Sequence, residues 1–514
     1  MFRFLLLCLT TMISSSSALR AGKRNAFKDD RYLSHGSFEQ VGSNLFGNLH
    51  AGGSNEALFG SSISLSSDGL RLAIGAVGHD ANSSSIGTGA VYCYNFEPYT
   101  RSWELTFMME GEPGEHIGSF VALSGDGSRV AIRRFPDDSP NFVDVYDATS
   151  GSRIGTTPLA CDSVKGSTVA ISHDGNRVAV SCERSGVNQG KVEIFEWNGI
   201  EWSPMVGIDG SAIGISNQGL FGWSSSFSNS GNRLAVSAPL FTSNGIIRRG
   251  VVKVFEYNDA SRLWQQIGND LLGKAAMEKF GLAIDLSENG STLFVGSPRL
   301  RAGIVEIFEL NSGLWIAKGN AVEGEKEHDS FGICVSSSFD GNTFVASSAN
   351  HNDGRGQVRM MKFDGSDWNE VDYVEGLDAG DSFGASGRHA VSSSADGSRF
   401  AAGSKLGMNE DGIATGRVRV FGYYVTPSLA PPEAAPSHSP SISILPSSNP
   451  SFLQHSTTEQ ISNFSKGNND STAGLIVMGA GIAGIAIAIA AVVFWRKRRQ
   501  KHEQKESLDG TFTA

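Results

Sequence analysis

The sequence predicts an all-β fold, a seven-bladed β-propeller. Three observations predict it: a phrase that recurs seven times, strand patterns at fixed places in each period, and an N-terminal segment that matches the strand missing from the last period. The phrase is a small-residue stretch, then Ser-x-(Asp/Asn/Ser)-Gly, then a short apolar run, as in SSDGLRLAIGA and SHDGNRVAVSC. Self-similarity of this kind is typical of propellers and other repeat arrays. The turn glycines are Gly69, Gly127, Gly175, Gly231, Gly290, Gly341 and Gly397.

Each period contains four strand patterns in the same order. An apolar-Gly pair such as Phe59-Gly60 opens the first strand, and the apolar run after the turn forms the second. Asp-Gly or Asn-Gly between them is a strong hairpin signal, because glycine adopts positive φ without steric cost. A third segment alternates, as in GKVEIFEW from Gly190, and a fourth often starts with tryptophan, as in WQQIGNDLLG from Trp264. Such four-stranded sheets bury their faces by stacking radially around an axis.

The two ends of the repeat region predict a closed ring. The segment FEQVGSNLFG, which starts at Phe38, matches the fourth-strand pattern WQQIGNDLLG, whereas the last repeat stops after its third strand at Tyr424. The N-terminal segment is therefore expected to complete the last blade, which removes an open sheet edge. We expect the propeller to span residues 38–424.

The flanking segments predict a single-pass membrane protein of type I. Residues 1–18 have the basic start, apolar centre and small-residue end of a signal peptide. Residues 473–494 carry no charge and are long enough for a transmembrane helix, and a basic run opens the cytoplasmic tail, residues 495–514. Residues 425–472 form a Pro/Ser-rich stalk, which cannot pack a core. The propeller is predicted to lie outside the cell, on the plasma membrane or another membrane of the secretory pathway.

Charge and cysteine usage narrow the choice of partners. The formal net charge of −11 argues against nucleic acid as a partner. Cys161 and Cys182 share one repeat and are candidates for a disulfide, whereas Cys93 and Cys334 are expected to be buried thiols. Glycosylation is expected at the Asn-x-Ser/Thr sites Asn82, Asn463 and Asn469.

The repeat unit resembles a known family. F-G-x-S-[IV]-x-L-S-x-D-G-x-R-[LV]-A-I-G-A followed by G-x-V-x-[VI]-[FY] resembles the FG-GAP repeat of integrin α-chain propellers. It resembles still more closely a repeat of single-pass surface proteins from algae and marine microbes, with VEGLDAGDSFG from Val374 among the shared elements. Calcium-binding FG-GAP units carry a D-x-D/N-x-D-G loop, of which SLSSDGLRL keeps only Asp68-Gly69. One carboxylate does not supply the roughly six to eight oxygens that Ca²⁺ takes. The turn motifs therefore do not support calcium, and no cofactor is expected.

The recurring turn aspartates are expected to form turns rather than to catalyse a reaction. Ser-x-Asp-Gly turns also occur in sialidase and peptidase-linked propellers, but this sequence has neither a GxSxG elbow nor an HExxH motif. No catalytic residue is predicted. The aspartates are Asp68, Asp126, Asp174, Asp340 and Asp396.

The irregular loops carry the candidate binding residues. In four-stranded blades, the connections between the second and third strands share one face with those that lead into the next blade, and loops on a rigid scaffold often bind partners. Basic pairs in two of these loops are interpreted either as an anion clamp or as solvated loop charge. The candidate ligand-binding residues are Arg133, Arg134, Asp137, Arg248, Arg249, His351 and Asp353. A candidate cation site, with solvated surface as the alternative, comprises Glu325, Glu327, His328 and Asp329.

Three hypotheses for the function follow. The first is a cell-surface binding or adhesion protein, not an enzyme, whose propeller recognises an extracellular protein or glycan. The second is a structural surface component that assembles with cell-wall polymer. The third is an ectoenzyme that acts on glycans. The first predicts saturable binding that changes in the loops abolish, the second predicts avidity that survives such changes, and the third predicts turnover that depends on carboxylates in the central well.

Overall fold

The chain folds into seven antiparallel β-sheets arranged as the blades of a propeller, which confirms the predicted fold class. The computed structural model describes residues 36–47, 57–81, 87–136, 141–160, 168–385 and 389–425. All of them belong to the first of two compact units, Met1–Pro432, whereas the second unit, Glu433–Ala514, lies outside the described residues. The predicted signal peptide, transmembrane helix and cytoplasmic tail also lie outside them, as does the predicted stalk beyond residue 425.

The strands are numbered in chain order and counted outward from the axis within each blade. The N-terminal strands are β1 (Gly36–Gln40) and β2 (Leu45–Phe46). Blade 1 comprises β3 (Phe59–Leu65), β4 (Arg71–Ala76), β5 (Ala90–Glu97) and β6 (Ser102–Glu110). Blade 2 comprises β7 (Val121–Leu123), β8 (Arg129–Arg134), β9 (Phe142–Asp147) and β10 (Arg153–Ala160). Blade 3 comprises β11 (Val169–Ile171), β12 (Arg177–Cys182), β13 (Lys191–Trp197), β14 (Trp202–Pro204) and β15 (Ile208–Asp209).

The remaining blades follow the same plan. Blade 4 comprises β16 (Ser225–Phe227), β17 (Arg233–Ala238), β18 (Val251–Asn258) and β19 (Leu263–Leu272). Blade 5 comprises β20 (Ala283–Leu286), β21 (Thr292–Ser297), β22 (Ile304–Asn311), β23 (Leu314–Ala317) and β24 (Val322–Glu323). Blade 6 comprises β25 (Phe331–Ser337), β26 (Thr343–Ser348), β27 (Gln357–Phe363) and β28 (Trp368–Glu375). Blade 7 comprises β29 (Val391–Ser393), β30 (Arg399–Ser404) and β31 (Arg417–Val425).

The first strands of the blades surround the axis and contact one another in chain order. Strand β3 contacts β7, β7 contacts β11, and the series continues to β29, which contacts both β25 and β3. A linear array of the same units would leave β3 without blade 7 as a neighbour. The ring is therefore closed.

The N-terminal segment supplies the outermost strand of blade 7, as predicted. Strand β1 pairs antiparallel with β31, with Phe38 opposite Tyr423, and β2 pairs with the start of the same strand. Phe38 also packs edge-on against Phe400 of β30, with ring centroids 4.8 Å apart. The two ends of the repeat region are joined by backbone hydrogen bonds, which cover the edge of β31.

The apolar core is distributed between the blades. Successive residues of a strand face opposite sides of its sheet, so each interface between neighbouring blades has its own apolar cluster. Between blades 7 and 1, Val418 and Val420 of β31 pack with Phe59 and Tyr92 of blade 1, and all four are almost completely buried. Each such side chain contributes roughly 1.5–3 kcal/mol when it leaves water. The blades therefore stabilise one another.

The Ser-x-Asp-Gly turns are closed by side-chain hydrogen bonds, in agreement with the predicted role of their aspartates. In blade 2, Asp126 accepts from the hydroxyl of Ser124 at 2.5 Å and from the backbone N–H of Ser128 at 2.9 Å. Gly127 has a φ of 71°. Burial acts to raise the pKa of Asp126, but the hydrogen bonds from Ser124 and Ser128 outweigh it and lower the pKa. The turn thus holds a charged carboxylate that is fully engaged.

An arginine after each of five turns connects its blade to the next one. Arg71 Nη1 donates to the carbonyl oxygen of Gly127, the turn glycine of blade 2, at 3.0 Å. Arg399 of blade 7 donates in the same way to Gly69 of blade 1, at 3.0 Å, and so closes the ring. A hydrogen bond from a charged group contributes roughly 1.5–3 kcal/mol. The other contacts join Arg129 to Gly175, Arg177 to Gly231 and Arg233 to Gly290.

Blade 5 makes the same connection with a different residue. Its turn is followed by Thr292 in place of arginine. Lys318, just after β23, donates instead through Nζ to the carbonyl oxygen of Gly341 at 2.8 Å. Its Nζ lies 5.0 Å from the ring centroid of Phe363, a distance typical of a cation–π contact. A cation at this place is therefore supplied from two unrelated sequence positions.

A tryptophan at the start of the fourth strand makes an outer connection. Trp103 of blade 1 donates through Nε1 to the carbonyl oxygen of Val41 in the N-terminal segment, at 3.0 Å. Gly42 follows with a φ of 80°, and a Cβ there would lie 2.9 Å from Trp103 Cδ1. The same bond joins Trp368 to Lys318 within the ring, at 2.7 Å. The N-terminal segment therefore accepts from blade 1 the same tryptophan hydrogen bond that the outer part of blade 5 accepts from blade 6.

Helical structure is minimal in the part of the chain that the structure describes. It consists of the short turn His351–Gly354 in the connection between β26 and β27. Within these ranges no helix is both long enough and apolar enough to cross a membrane. The predicted membrane span, 473–494, lies beyond them.

We predict that Gly42→Ala weakens the closure of the ring. A left-handed φ costs a residue other than glycine roughly 1–2 kcal/mol, and the added Cβ also collides with Trp103. We expect a loss of about 2–3 kcal/mol in the free energy of unfolding of the full-length chain, measured by chemical denaturation. The control is Gly199→Ala, where φ is 97° but a Cβ would meet nothing within 4 Å. Equal losses in the two variants would show that the Trp103 contact has no role.

Candidate functional site

The irregular connections form one end of the propeller, which we name the loop face. It consists of the connections between second and third strands and those that lead into each new blade. In blade 4, the N–H of Gly273 donates to the carbonyl oxygen of Gly250 at 3.2 Å. In blade 5, the N–H of Gly324 donates to Gly303 at 2.9 Å. These bonds join the two kinds of connection, as expected from a shared face, and restrict their movement.

Several residues of the loop face other than glycine have positive φ. The residue before the apolar-Gly pair has a φ of 46° at His116, 56° at Lys279 and 49° at Ser382. Arg248 and Arg301, each two residues before the glycine that opens a third strand, both have a φ of 50°. Such conformations are costly and persist only where the surroundings hold them. The fold therefore fixes the backbone at these positions, whereas the side chain differs from blade to blade.

The first predicted basic pair lies at the end of β8. Arg133 is only 6% exposed, and its Cζ lies 5.0 Å from the ring centroid of Phe135. Arg134 pairs with Glu115 at 2.6 Å and with Asp144 at 3.0 Å. Arg133 is thus not solvated loop charge, and two carboxylates balance the guanidinium of Arg134. The pair connects parts of blade 2 to one another.

His351 and Asp353, also candidate ligand-binding residues, lie in the short helical turn of blade 6. His351 is buried between two carboxylates, with Nδ1 2.9 Å from Asp329 Oδ2 and Nε2 3.4 Å from Glu375 Oε1. Asp353 is exposed and has a φ of 58°. His351 therefore connects the loop that enters blade 6 to β28, whereas the side chain of Asp353 lies at the surface.

The candidate cation ligands do not converge. Asp329 is 4% exposed and contacts His351, whereas Glu325, Glu327 and His328 are exposed. Across the described ranges, no three His, Cys, Asp or Glu side chains are placed to hold a metal ion together. For Glu325, Glu327 and His328, this geometry favours the alternative interpretation, which is that they are solvated surface residues.

The second predicted basic pair belongs to a larger group, which we name the basic surface. Arg248 is exposed and Arg249 is half-buried, and the N–H of Lys279 donates to the carbonyl oxygen of Arg248 at 3.2 Å. Burial lowers the pKa of Lys279, and the positive charges of Arg299 and Arg248 lower it further. Three loops of blades 4 and 5 thus bring their cations together. The basic surface comprises Arg248, Arg249, Lys279, Arg299 and Arg301.

The basic surface has no acidic partner among the residues that the structure describes. Two carboxylates of the same region are engaged elsewhere. Glu278 accepts the backbone N–H groups of Lys274 and Ala275, at 2.6 and 2.7 Å, and Glu306 pairs with the side chain of Lys274. On a chain with a net charge of −11, this is a local concentration of uncompensated positive charge.

Sequence reasoning identified Arg248 and Arg249 but missed Lys279, Arg299 and Arg301. Lys279 lies in a different loop, and Arg299 and Arg301 belong to the next blade. A signal was available, because aligning the repeats places Arg301 at the position of Arg248. Proximity between blades, however, follows from the ring and not from the spacing in one loop.

At the opposite end of the propeller, three side chains meet across the axis. They occupy the variable position of the Ser-x-Asp-Gly turn in blades 1, 3 and 5. Ser67 Oγ donates to Glu288 Oε1 at 2.6 Å and lies 3.1 Å from His173 Nδ1. Since a carboxylate only accepts, the single hydroxyl hydrogen goes to Glu288, and His173 donates to Ser67. His173 is therefore not arranged as a base that activates Ser67.

Blade 2 leaves room for this axial contact by placing glycine at the same position. A Cβ on Gly125 would lie 2.1 Å from His173 Nδ1 and 2.6 Å from Ser67 Oγ. The N–H of Ser67 also donates to the carbonyl oxygen of Gly125 at 2.8 Å. Position 125 therefore requires a residue without a side chain, because a Cβ there would collide with Ser67 and His173.

Asp285 lies in β20, the first strand of blade 5, and contacts the first strands of blades 4 and 6. It accepts from the hydroxyl of Ser226 at 2.9 Å, and from the backbone N–H and hydroxyl of Ser337 at 2.7 and 2.8 Å. Burial raises the pKa of Asp285 to about 6, although its hydrogen bonds act in the opposite direction. In blade 1 the equivalent residue is Ser64, which accepts from the N–H of Leu123 at 2.9 Å. The carboxylate is thus part of a belt of hydrogen bonds between first strands.

A cleft of about 440 Å³ opens between blades 3 and 4, lined by Asp174, Arg177, Glu196 and Trp197 among others. Arg177 Nη2 pairs with Glu196 at 2.9 Å and Nη1 donates to the turn of the next blade. The polar groups of the cleft are therefore those that already connect the two blades.

The remaining predicted site residues lie wholly or partly outside the described ranges. Asp137, Asn82, Asn463 and Asn469 are outside them. Cys182 is disulfide-bonded, but its predicted partner Cys161 is outside, so this pairing stays a prediction. Cys93 and Cys334 are buried thiols outside any disulfide, and burial raises the pKa of Cys334 to about 11.

Comparison with known proteins bears on the fold alone. No protein-family model and no curated protein sequence matches the chain. Among solved structures, the chain is similar to Kuenenia stuttgartiensis hydrazine synthase, with 15% identity, 68% of this chain and 93% of that chain covered, and a TM-score of 0.44. It is also similar to the Pseudomonas aeruginosa periplasmic gluconolactonase PpgL, with 16% identity, coverage of 62% and 85%, and a TM-score of 0.41. Neither similarity indicates an activity for this chain.

We predict that Asp285 makes the free energy of unfolding depend on pH. Its pKa is 3.8 without the fold and about 6 within it, so its contribution to stability is complete below pH 3.8 and is lost as the pH rises through 6. We expect wild type to lose about 2 kcal/mol relative to Asp285→Asn between pH 4 and pH 7. Denaturation of both proteins at the two pH values measures this difference. A difference that stays constant, or that changes in favour of wild type at high pH, would contradict the buried state of the carboxyl group.

Proposed function

We propose that the chain is a single-pass type I cell-surface protein whose propeller is a binding head for an extracellular protein or glycan. One observation carries the proposal. The basic surface is held on rigid loops and has no acidic partner within the described residues, whereas the turn aspartate Asp126, the arginine Arg71 and the axial Ser67 and Glu288 are engaged in hydrogen bonds. Cationic side chains that are held on rigid loops and have no acidic partner are suited to binding another molecule.

The sequence outside the described residues supports the proposed location. A signal peptide at 1–18, a Pro/Ser-rich stalk at 425–472 and an uncharged segment at 473–494 would place the propeller at a distance from the outer face of a membrane. The resemblance of the repeats to FG-GAP units of surface proteins agrees with this placement, and membership of that group is part of the proposal. We propose no cofactor.

The axial residues do not favour an enzyme. The hydroxyl of Ser67 already donates to Glu288, and Asp285 is surrounded by hydroxyl and N–H donors from two blades. The Ser67 hydroxyl is therefore not arranged to attack a substrate, and the Asp285 carboxyl group is engaged in hydrogen bonds between first strands. Assembly with wall polymer remains the alternative that the binding experiment separates from recognition of a single partner.

An N-linked glycan introduced at a chosen surface position, which we call a glycan wedge, tests both the proposed cell-surface location and the proposed binding face. Ile246→Thr creates the acceptor sequence Asn-Gly-Thr at exposed Asn244 on the loop face, and Ala260→Thr creates Asn-Asp-Thr at exposed Asn258 on the opposite face. We expect both full-length variants, expressed in cells, to gain a glycosidase-sensitive mass, because the propeller enters the secretory pathway. Intact cells are then tested for saturable binding to an array of extracellular proteins and glycans.

The wedge at Asn244 should abolish that binding, and the wedge at Asn258 should leave it unchanged. Absence of added glycan in both variants would contradict the proposed location. Binding that survives at Asn244 and is lost at Asn258 would contradict the proposed face. Retention of isolated wall polymer by both variants would support the structural alternative instead.

A further inference from the structure

We infer that the basic surface and two exposed apolar side chains beside it form a docking site for an acidic protein segment that also carries apolar side chains. The inference rests on the proposed function and names the class of partner. It concerns the loops of blades 4 and 5 only.

The apolar part of the site consists of Ile247 and Met277. Their side chains are 58% and 48% exposed, and the N–H of Met277 donates to the carbonyl oxygen of Ile247 at 2.8 Å. Met277 has a φ of 63°, so the fold holds its backbone in a conformation that a free loop would leave. Two adjacent loops therefore present uncovered apolar groups side by side.

The charged part of the site surrounds this pair in the sequence and in the fold. Arg248 follows Ile247 directly, and Lys279 lies two residues after Met277. The N–H of Lys279 donates to the carbonyl oxygen of Arg248 at 3.2 Å, which brings the two loops together. Burial lowers the pKa of Lys279, and the positive charges of Arg299 and Arg248 lower it further. Bringing carboxylates to this place would relieve the repulsion among the three cations. An acidic partner therefore gains more here than a single ion pair in water would give.

The composition favours a protein over a polyanionic glycan. Arginine and methionine are enriched at the centres of protein interfaces, and apolar groups there contribute by leaving water. A sulfated chain would be attracted by the cations but would gain little from covering Ile247 and Met277. Because the chain is acidic elsewhere, an acidic partner is also repelled from the remaining surface, which favours one orientation of docking.

The experiment measures binding of labelled synthetic peptides to the purified full-length chain by fluorescence anisotropy. One peptide repeats Asp-Glu-Leu, a second repeats Asp-Glu-Ser, and dextran sulfate serves as a polyanion without apolar groups. We expect saturable binding of the Asp-Glu-Leu peptide that weakens as salt is added, and at least about tenfold weaker binding of the Asp-Glu-Ser peptide.

Matched variants locate the site. Arg248→Glu with Arg301→Glu reverses two exposed charges whose φ is 50°, and Arg101→Glu with Arg262→Glu reverses two exposed charges whose φ is 53° and 57° away from the loop face. We expect at least about tenfold weaker peptide binding in the first double variant and no change in the second. Ile247→Ser with Met277→Ser should weaken binding by a similar factor, whereas Leu314→Ser, at a site 55% exposed in blade 5, should not.

Three results would overturn the inference. Equal peptide affinity in the two charge-reversal variants would remove the basic surface from the site. Equal binding of the two peptides, with tight dextran sulfate binding, would replace a protein by a polyanionic glycan. Absence of binding to every probe would reject an acidic partner. In each case the glycan-wedge result decides independently whether the loop face still binds something else.

Discussion

Six of the seven blades are held to the next by a cation that donates to the carbonyl oxygen of a turn glycine, and one of these contacts lies where the ring closes. In the described part of blade 6, Thr343 stands where the arginine would be. Arg399 reaches Gly69 across the junction between the last blade and the first. Farther from the axis, Trp103 makes the corresponding contact with Val41. A four-stranded sheet cannot bury both of its faces alone, so each apolar cluster needs a neighbouring blade on both sides and the ring has to close. The contact made by Lys318 in blade 5 indicates that the location of the cation in the folded blade matters more than its position in the repeat sequence.

This arrangement separates stability from recognition. The turn end of the propeller uses nearly the same residues in each blade, and its charges are engaged by hydrogen bonds such as those of Asp126. At the loop end, the backbone is similarly constrained, since Arg248 and Arg301 share a φ of 50°, but the side chains vary. Chemistry at the loop face can therefore change between blades without disturbing the contacts that hold the ring. The basic surface is one result of that freedom.

Much of the fold was predictable from the sequence, and the candidate site was predictable only in part. The strand order and the closure followed from the repeats, because Val41-Gly42 occupies the place that Ile267-Gly268 occupies in blade 4. Arg133 was predicted to lie in a loop, whereas it is buried, because a cation over an aromatic ring is not distinguishable by spacing from one in solvent. The axial contact could not be predicted, since the variable position of the turn has no pattern and its members come from blades 1, 3 and 5. Which turn residues meet across the axis depends on how the blades curve into a ring, and the sequence of a single repeat does not show this curvature.

The closure of the ring is tested most directly by native-state hydrogen exchange. The N–H of Val41 donates to Val420 across the junction, and the N–H of Tyr257 donates to Asn232 within blade 4, both at 2.8 Å. If the N-terminal strand is an integral part of the ring, the two amides should exchange with the same opening free energy, because neither opens without global unfolding. Exchange of Val41 at a much lower free energy, while Tyr257 stays protected, would show that the ring persists without its N-terminal strand and would contradict this account.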